Sequence, residues 1–445
     1  MAVSNWQLAK KVLIITYYWP PGGGSGVQRW LYFSKYLTDF AFEPYIITVD
    51  EKNASYKFID ESLNEQVQGI KVFKTTTIEP LRFYSRLLSG NEHDAIPQGF
   101  AGEKSSGVFQ RISRFIRGNF FIPDARRGWN YFAFRTAKQI IESENISFVI
   151  TTGPPHSTHL IGLKLKKKYN LKWLADFRDP WTEVYYNKLL FRTWLAKFAD
   201  AQLEKKVLRN ADVVLTIGPS MKKLLAEKVA EEKSKFHFIY NGFDEDIFKK
   251  LIPAKSRDCF TICHVGILGE SQPITSFLEA VKKLFQSNPE ASAMIKFKIV
   301  GKVSSSIIRE INQMVPQLKL EVTEYVPHAD AIQQMLNADL LLNSLAETEN
   351  SELLISGKLM EYVASRTPIL CLGNLKGDAA DLLRHLEFAI VKARGNVEEI
   401  YSYVDLIFSR WRRNLPSENA IGSINNYSRL ETARQLAELI HDVSG

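Results

Sequence analysis

The sequence contains little cysteine. Its 445 residues include three cysteines, Cys259, Cys263 and Cys371, and each lies in an apolar segment typical of a strand. Their number and setting predict reduced, buried thiols of the kind found in the cytoplasm, and not a disulfide framework. Three residues separate Cys259 from Cys263, but no second pair and no histidine cluster accompanies them. We therefore expect no metal site there.

Long apolar runs are also missing. No run reaches the roughly 18 residues that a membrane-spanning helix needs. The first residues, Met-Ala-Val-Ser-Asn-Trp-Gln, lack the apolar core of a signal peptide. Hydrophobic residues make up 45% of the chain and charged residues 24%, which is typical of a folded soluble protein. A chain of this length predicts two domains, and we expect a cytoplasmic location.

Acidic residues are outnumbered by basic ones, 49 against 57, which gives a net charge of +8. Such an excess favours an acidic partner: phosphate, nucleic acid or an anionic membrane surface. The charge is concentrated in residues 103–138, where eight basic and two acidic residues are interleaved with aromatic ones. A helix lying in a membrane interface and a solvated basic face over a core-facing aromatic stripe both explain this pattern. No recognised nucleic-acid motif accompanies it, so nucleic acid is not an expected partner.

Short apolar segments rich in β-branched residues alternate with helical patterns, which indicates parallel sheets with right-handed crossovers. The alternation forms two blocks, separated by the polar stretch 249–258. The predicted strands with their turns are 12–16, 44–49, 148–156, 173–181, 213–220 and 236–244 in the first block, and 260–266, 297–302, 320–325, 339–343 and 369–372 in the second. Residues 51–105 show no clear pattern. The alternation of strands and helices in both blocks predicts the α/β fold class.

Two turns after predicted strands of the first block stand out, because ligands bind beyond the carboxyl ends of parallel strands. The glycine run Gly22–Gly26 permits a close backbone approach to a ligand. It lacks the P-loop pattern, so a P-loop ATPase is not expected. His156 follows Gly153-Pro154-Pro155 at a strand end, where a neutral imidazole can hydrogen-bond a sugar hydroxyl.

Three charged residues, Asp176, Arg178 and Asp179, stand together before a proline. A self-paired structural turn and an acceptor-binding turn explain this cluster equally well.

In the second block, the turn Ser356-Gly357-Lys358 is predicted to begin an amphipathic helix that ends near Arg366. A helix N-terminus attracts anions. Lys358 adds a full charge there and Glu361 lies one turn further on, although an ordinary α/β turn with a first-turn glutamate has the same pattern.

These turns and their flanking residues resemble the GT-B-fold, family 4-type glycosyltransferases of bacterial surface-polysaccharide biosynthesis (capsule, exopolysaccharide or lipopolysaccharide). The segments that carry the resemblance are 17–29, 152–157, 176–181, 241–244, 265–268 and 355–362, and they follow the expected order over nearly the whole chain. The resemblance implies two Rossmann-like doubly wound parallel-sheet domains facing a central cleft. It implies an acceptor-binding domain at 1–248, a nucleotide-sugar-binding domain at 249–425 and a C-terminal helix at 426–445 that returns to the N-terminal domain.

The implied activity is retaining transfer of a hexose from a UDP- or GDP-type sugar nucleotide to a saccharide or polyprenyl-linked acceptor, without a bound metal. By this resemblance His156 contacts the donor sugar near the reacting carbon, Lys358 neutralises the diphosphate, and Glu361 holds the ribose hydroxyls. The remaining implied contacts are Gly23, Gly24, Gly266, Lys302 and Gly357 for the nucleotide, and Asp176, Arg178 and Asp179 for the acceptor. An anionic membrane surface is an expected further partner of residues 103–138.

The sequence departs from the family pattern at two places. The family has two glutamates separated by seven residues, and Leu353 occupies the first of these positions. An arginine and a lysine often follow the glycine equivalent to Gly266, whereas Ile267 and Gln272 stand at or near those places; Lys302 and Lys358 are candidates to compensate. These departures motivate a second hypothesis, a catalytically impaired binding subunit with the same fold. A nucleotide-sugar epimerase and a nicotinamide oxidoreductase are further alternatives.

Overall fold

The structure is a computed structural model that describes residues 9–54, 56, 59–79, 108–229, 233–324, 326–415 and 424–444. The chain divides into two compact units. Unit 1 comprises Met1–Gly242 and Arg429–Gly445, and unit 2 comprises Phe243–Ser428. Each unit is a parallel sheet with helices, so the predicted α/β class with two Rossmann-like domains is confirmed. The functional assignment of the two units stays a prediction.

Unit 1 is built on a seven-stranded sheet in the order β3-β2-β1-β4-β5-β6-β7, and every neighbouring pair is parallel. Its strands are β1 (Lys10–Ile15), β2 (Phe42–Val49), β3 (Lys71–Thr75), β4 (Phe148–Gly153), β5 (Lys172–Phe177), β6 (Val213–Thr216) and β7 (Phe236–Phe238). The order reverses between β1 and β4, and such a reversal is where the carboxyl ends of strands open a crevice for ligands.

Seven α-helices of unit 1 connect or cover these strands in the described part of the chain. They are α1 (Ser25–Leu37), α2 (Val108–Phe120), α3 (Asn130–Glu144), α4 (Thr158–Tyr169), α5 (Trp194–Asn210), α6 (Pro219–Glu227) and α15 (Arg429–Ser444). Helix α15 packs on α1. Its buried face, which includes Leu436 and Ile440, belongs to the same core as Val12 and Ile46 of the sheet. The last helix of the chain is therefore part of the unit 1 core.

Unit 2 contains a six-stranded parallel sheet in the order β10-β9-β8-β11-β12-β13. Its strands are β8 (Phe260–Val265), β9 (Ile295–Val300), β10 (Lys319–Thr323), β11 (Leu340–Ser344), β12 (Ile369–Leu372) and β13 (Ala389–Lys392). Its helices are α7 (Glu245–Lys250), α8 (Thr275–Ser287), α9 (Ala291–Met294), α10 (Ser305–Met314), α11 (His328–Asn337), α12 (Leu359–Ser365), α13 (Asp378–Leu383) and α14 (Val397–Arg412).

The predicted strands are all present, because strands covered on both faces read as continuous apolar runs. Two strands, β3 and β13, are missing from the prediction. Both are edge strands. β3 interrupts its apolar residues with Lys71 and Lys74, and β13 is a short apolar run whose residues are only half-buried. All three cysteines are free thiols, and Cys263 and Cys371 are buried as predicted. The prediction was wrong for Cys259, which is half-buried because it precedes β8. No helix among the described residues is long and apolar enough to cross a membrane.

We expect Leu436→Ala in α15 to destabilise unit 1 by about 2–5 kcal/mol, since it removes a fully buried leucine from the core. Leu430→Ala in the same helix is the matched control, because Leu430 is 44% exposed and its loss should cost less than about 0.5 kcal/mol. Hydrogen-exchange protection of the β1 amides reports the stability of unit 1 alone. Equal protection in the two variants would contradict a core role for α15.

Candidate functional site

A buried ion pair lies beneath the carboxyl ends of the central strands of unit 1. The Asp176 carboxylate, at the end of β5, accepts hydrogen bonds from Arg29 Nε (3.2 Å) and Nη2 (3.0 Å) on α1. It also accepts from Trp30 Nε1 (2.7 Å) and Thr152 Oγ1 (2.9 Å). Arg29 Nη1 donates to the carbonyl oxygen of Ile239 at 2.9 Å. The carboxylate oxygens of Asp176 are therefore used in hydrogen bonds within unit 1, and these bonds hold α1, β4 and β5 together. A direct contact between Asp176 and the acceptor saccharide stays a prediction.

Arg178 joins two of the glycine-containing turns. Its Nε donates to the carbonyl oxygen of Gly153 at 3.2 Å, and its two Nη atoms donate to the carbonyl oxygens of Gly26 and Pro154. A Cβ atom at Gly26 would lie 3.1 Å from Arg178 Nη1, so this approach favours glycine. The side chain is buried. Arg178 thus holds the turns after β1 and β4 together, and its predicted contact with the acceptor stays a prediction.

The turn after β4 presents a buried histidine with unused hydrogen-bonding capacity. His156 stacks on Trp181 with ring centroids 5.1 Å apart and planes at 9°. Neither of its ring nitrogens has a hydrogen-bond partner within the described residues. Burial, reinforced by His159 and nearby cations such as Arg178, holds the pKa of His156 well below its usual value. His156 is therefore a neutral, buried imidazole, and its contact with the donor sugar stays a prediction.

His159, which the sequence analysis did not single out, lies beside His156. Its Nδ1 is 2.9 Å from Thr151 Oγ1, and its ring stacks on Phe177 at 4.4 Å between centroids. Its Nε2 has no partner among the described residues. Burial lowers its pKa to about 3, so this imidazole is neutral as well. Two histidines three residues apart at the start of a predicted helix were the sequence signal for this pair.

The remaining predicted residues of unit 1 lie at the surface of the same turns. Gly23 is half-buried, and Gly24 is exposed with a φ of 92°, where it precedes α1. Asp179 is half-buried, and burial raises the pKa of its carboxyl. Asp179 is thus the member of the charged turn that remains nearest to solvent, in contrast to Asp176 and Arg178.

A second charged network supports the turn that contains Trp181. Asp200 on α5 accepts a hydrogen bond from Trp181 Nε1 at 2.7 Å and pairs with Arg192. Lys228 pairs with Glu204 at 2.7 Å, and both bond to the neighbouring Thr182. Burial raises the pKa values of Asp200 and Glu204. These residues fix the position of the Trp181 ring against His156.

In unit 2, a lysine and two glycines meet at the carboxyl ends of β8 and β9. Lys358 Nζ lies 2.8 Å from His264 Nε2, and a Cβ atom at Gly266 would be 3.4 Å from Nζ. A Cβ atom at Gly301 would lie 2.5 Å from the Gly266 carbonyl oxygen, so this crossing requires glycine. His264 Nδ1 is 3.0 Å from the carbonyl oxygen of Leu342. In the tautomer that donates from Nδ1 to Leu342, Nε2 accepts from Lys358, and Nε2 also lies 3.3 Å from the carbonyl oxygen of Ile267.

Burial lowers the pKa of Lys358 to about 7. No ion pair to its ammonium group is found within the described residues. Helix α12, which follows Lys358, has the predicted position but only seven residues. Its dipole is correspondingly short, so the titratable charge of Lys358 is the stronger source of anion attraction here. Tyr362 anchors the helix, since its hydroxyl accepts from the Val265 amide at 2.8 Å.

Glu361 has a partner that the sequence did not indicate. His328, the first residue of α11, places Nε2 at 2.6 Å from Glu361 Oε1, and both side chains are largely buried. Gly357 and Lys302 are exposed beside this region, and Ser356 Oγ donates to Asn343 Oδ1 at 3.1 Å. The structure thus brings Gly266 and Lys358 together in one cluster of unit 2, while Glu361 is engaged by His328.

The two departures from the family pattern have structural roles in unit 2. Leu353 is buried. Gln272 accepts from the Gly269 amide at 3.1 Å and donates to the Ser344 carbonyl at 3.0 Å, so it stabilises the turn after β8. Ile267 is exposed beside it. Within the described residues, no group of three or more His, Cys, Asp or Glu side chains is arranged to hold a metal ion.

Known proteins resemble this chain in its overall fold and in part of its sequence. Residues 89–247 match the Glycosyltransferase Family 4 domain. A glycosyltransferase from Rickettsia africae ESF-5 is 15% identical with a TM-score of 0.61, over 98% of this chain and 99% of that one. Alr3699/HepE from Anabaena, solved in complex with UDP, is 12% identical with a TM-score of 0.58, over 97% and 100% of the two chains.

The same fold also occurs in an epimerase. A putative UDP-N-acetylglucosamine 2-epimerase from Listeria monocytogenes is 12% identical with a TM-score of 0.52, over 98% of this chain and 97% of that one. No curated protein matches the sequence. The chain therefore has the GT-B fold of two parallel-sheet Rossmann-like units, and residues 89–247, nearly all of them in unit 1, match a glycosyltransferase family domain.

We expect Asp176→Asn to destabilise unit 1 by about 3–5 kcal/mol, because it leaves the buried Arg29 guanidinium without its counter-charge. Asp179→Asn is the matched control. The raised pKa of Asp179 means that burial opposes its charge, so the neutral amide should change stability by less than about 1 kcal/mol. Denaturant unfolding with hydrogen-exchange readout in β5 measures both. A small effect of Asp176→Asn would show that the ion pair is not a structural support.

Proposed function

We propose that the chain is a retaining glycosyltransferase that moves a hexose from a UDP- or GDP-type sugar nucleotide to a saccharide acceptor in surface-polysaccharide synthesis. The observation that carries this proposal is the position of Lys358. It lies beside Gly266 at the carboxyl ends of the unit 2 strands, where parallel α/β sheets bind ligands. The match of residues 89–247 to a glycosyltransferase family favours a transferase over the epimerase that shares the fold.

The chemical task of Lys358 is to stabilise a leaving diphosphate. Charge accumulates on the diphosphate as its bond to the sugar breaks, and a preorganised cation lowers the energy of that state. His264 holds the ammonium through an uncharged nitrogen, so no carboxylate of this contact competes with the phosphate. The small Gly266 leaves its backbone accessible beside the same Nζ atom. The Gly357 amide and Lys302 are further proposed phosphate contacts, and the reaction is proposed to need no bound metal.

The donor sugar and ribose are assigned to the groups that the resemblance implies. His156 offers neutral, unpartnered ring nitrogens, which suits a hydrogen bond to a sugar hydroxyl. Glu361 is proposed to bind the ribose hydroxyls, and its hydrogen bond to His328 fixes the carboxylate orientation. Gly23 and Gly24 are proposed to approach the diphosphate. These assignments rest on the resemblance for their partners and on the structure for their side-chain states.

Unit 1 is proposed to bind the acceptor, a polyprenyl-linked saccharide taken from the inner face of the cytoplasmic membrane. Asp179 is the proposed direct contact, since its half-buried carboxyl remains closest to solvent in the charged turn. Asp176 and Arg178 are proposed to position that turn through their internal hydrogen bonds. The basic and aromatic residues of 103–138 are proposed to meet the anionic lipid surface.

A catalytically impaired binding subunit is the second candidate. The observation that favours it is Gln272, whose side chain is used within the turn after β8 where the family often has a basic residue. A thermal-shift panel of UDP-sugars, GDP-sugars and NAD tests the nucleotide class for both candidates. A ligand at 100 times its Kd adds roughly 2.7 kcal/mol of stability. Stabilisation by NAD and by no sugar nucleotide would reject both.

We expect Lys358→Ala to lower transfer by about 10²-fold, because it removes one cation from the developing diphosphate charge. Lys319→Ala, at an exposed lysine of unit 2, is the control, and its transfer rate should equal that of the unaltered chain.

Sugar-nucleotide binding by the unaltered chain at pH 8 should take up close to one proton. A pKa of about 7 leaves Lys358 mostly neutral in the free protein, and an adjacent diphosphate raises that pKa. Calorimetry in buffers of different ionisation enthalpy measures the uptake.

Two results would separate the candidates. Proton uptake that disappears in Lys358→Ala, together with transfer by the unaltered chain, supports the enzyme. Uptake with no transfer to any acceptor supports the binding subunit. Nucleotide binding without proton uptake, and with unchanged kinetics in Lys358→Ala, would show that the diphosphate lies elsewhere.

A further inference from the structure

Unit 1 has an exposed apolar surface made by two segments that are distant in sequence. Helix α2 supplies one part, and the segment 188–198, which includes the first turn of α5, supplies the other. Phe120 and Trp194 are 74% and 73% exposed, which is unusual for such large side chains. We call this surface the aromatic ridge, and its main exposed residues are Phe115, Phe120, Phe191, Trp194, Leu195 and Phe198.

The two parts of the aromatic ridge are held together by packing and hydrogen bonds. A Cβ atom at Gly118 would clash with the carbonyl oxygen of Leu190, so glycine lets α2 lie against the second segment. Asn119 Nδ2 donates to the Phe191 carbonyl at 3.1 Å, and its Oδ1 accepts from the Thr193 amide at 2.7 Å. Thr193 also caps the start of α5. The ridge is therefore a fixed surface and not a set of independent side chains.

The aromatic ridge carries positive charge at its edge. Neither 108–120 nor 188–198 contains an aspartate or glutamate, and each contains three basic residues, of which Arg192 has a largely buried side chain that pairs with Asp200. Arg111, Lys188 and Lys197 are exposed at its edge, and the Arg111 guanidinium lies over the Phe191 ring at 6.0 Å. Aromatic side chains that enter a bilayer interface, beside cations that contact anionic headgroups, are the combination that binds a membrane surface.

A second copy of this chain fits the aromatic ridge less well. A two-fold dimer through this surface would place the same cations against each other, and like charges across an interface oppose association. An anionic bilayer satisfies the apolar and the basic side chains together. The remainder of the basic stretch is built differently, because Trp129 and Ala133 are buried in the unit 1 core. Tyr131 is exposed there as a single aromatic side chain, whereas α2 and 188–198 together expose the six large apolar residues of the ridge.

The aromatic ridge is connected to the candidate site of unit 1. Asp200, on the same helix as Trp194, accepts a hydrogen bond from Trp181, and Trp181 stacks on His156. Arg192, within the second ridge segment, pairs with Asp200. The ridge and the charged turn of the site are thus parts of one hydrogen-bonded assembly within unit 1.

We propose that the aromatic ridge docks unit 1 on an anionic lipid bilayer, with Trp194, Leu195 and Phe198 inserted among the headgroups. The docking itself does not depend on the transferase activity. Its purpose rests on the proposed function: it brings the turn at 176–181 to the membrane from which a lipid-linked acceptor is taken. Residues 188–198 are an essential part of this surface, in addition to the basic helix.

Vesicle sedimentation of the full chain, without nucleotide or acceptor, tests the docking. Vesicles of phosphatidylcholine with and without 30% phosphatidylglycerol are the probes (about 0.1 M salt). We expect Trp194→Ser with Phe198→Ser to reduce the partition coefficient by tenfold or more, since each side chain loses apolar burial. We expect Arg111→Gln to reduce it about fivefold on anionic vesicles only. The matched control is Ile252→Ser in unit 2, which alters an 82% exposed apolar residue outside the ridge.

Quenching by brominated lipid gives a second readout. Trp194 is the exposed tryptophan of unit 1 within the described residues, so Trp194→Phe should remove most of the quenching while retaining vesicle binding. Failure of the unaltered chain to bind anionic vesicles, or equal binding by the Trp194→Ser, Phe198→Ser variant, would overturn the proposal. Conversion of a dimer to a monomer by that variant would assign the ridge to a second copy and would also overturn it. The vesicle and quenching readouts do not require the proposed activity. Where the unaltered chain transfers sugar to a water-soluble acceptor, the variant should do so at the same rate.

Discussion

The candidate site of unit 1 depends on the buried ion pair between Asp176 and Arg29. A buried carboxylate is costly unless its oxygens are paired, and here Arg29, Trp30 and Thr152 satisfy them. The three donor side chains belong to α1 and β4, whereas the carboxylate that accepts their hydrogen bonds is at the end of β5. The pair therefore sets the relative position of the elements from which the turns of the site extend. Arg178 then joins two of those turns directly through their carbonyl oxygens.

Unit 2 uses its charge in the opposite way. The cation at its strand ends, Lys358, is held by neutral His264 and not by a carboxylate. In unit 1 the charges of Asp176 and Arg178 are used in internal hydrogen bonds that give rigidity, whereas no ion pair to Lys358 is found within the described residues. Burial lowers the pKa of Lys358 to about 7, so an anion bound beside it would raise that pKa and protonate the lysine. Under the proposed function, ligand binding at this residue is therefore coupled to proton uptake.

The sequence predicted the central strands and the turns after them, because strands buried on both faces are continuous apolar runs. It did not predict the partners of the charged turns. Arg29 and Asp176 are 147 residues apart and Lys358 and His264 are 94 residues apart, so no local pattern joins them. For the same reason the choice between a structural and an acceptor-binding role for Arg178 stayed open. Edge strand β3 was missed because its residues are mostly not buried.

The basic and aromatic stretch shows why composition alone left two explanations open. Part of it, around Trp129, packs into the core, while α2 presents Phe115 and Phe120 to solvent. The second half of the exposed surface is contributed by 188–198, and the contacts of Arg111, Gly118 and Asn119 show that the two segments adjoin. Helix α5 carries both Trp194 of the ridge and Asp200, which holds the Trp181 ring on which His156 stacks. Docking through the aromatic ridge would therefore orient the turn that carries Trp181 relative to the membrane, because both belong to the same packed part of unit 1.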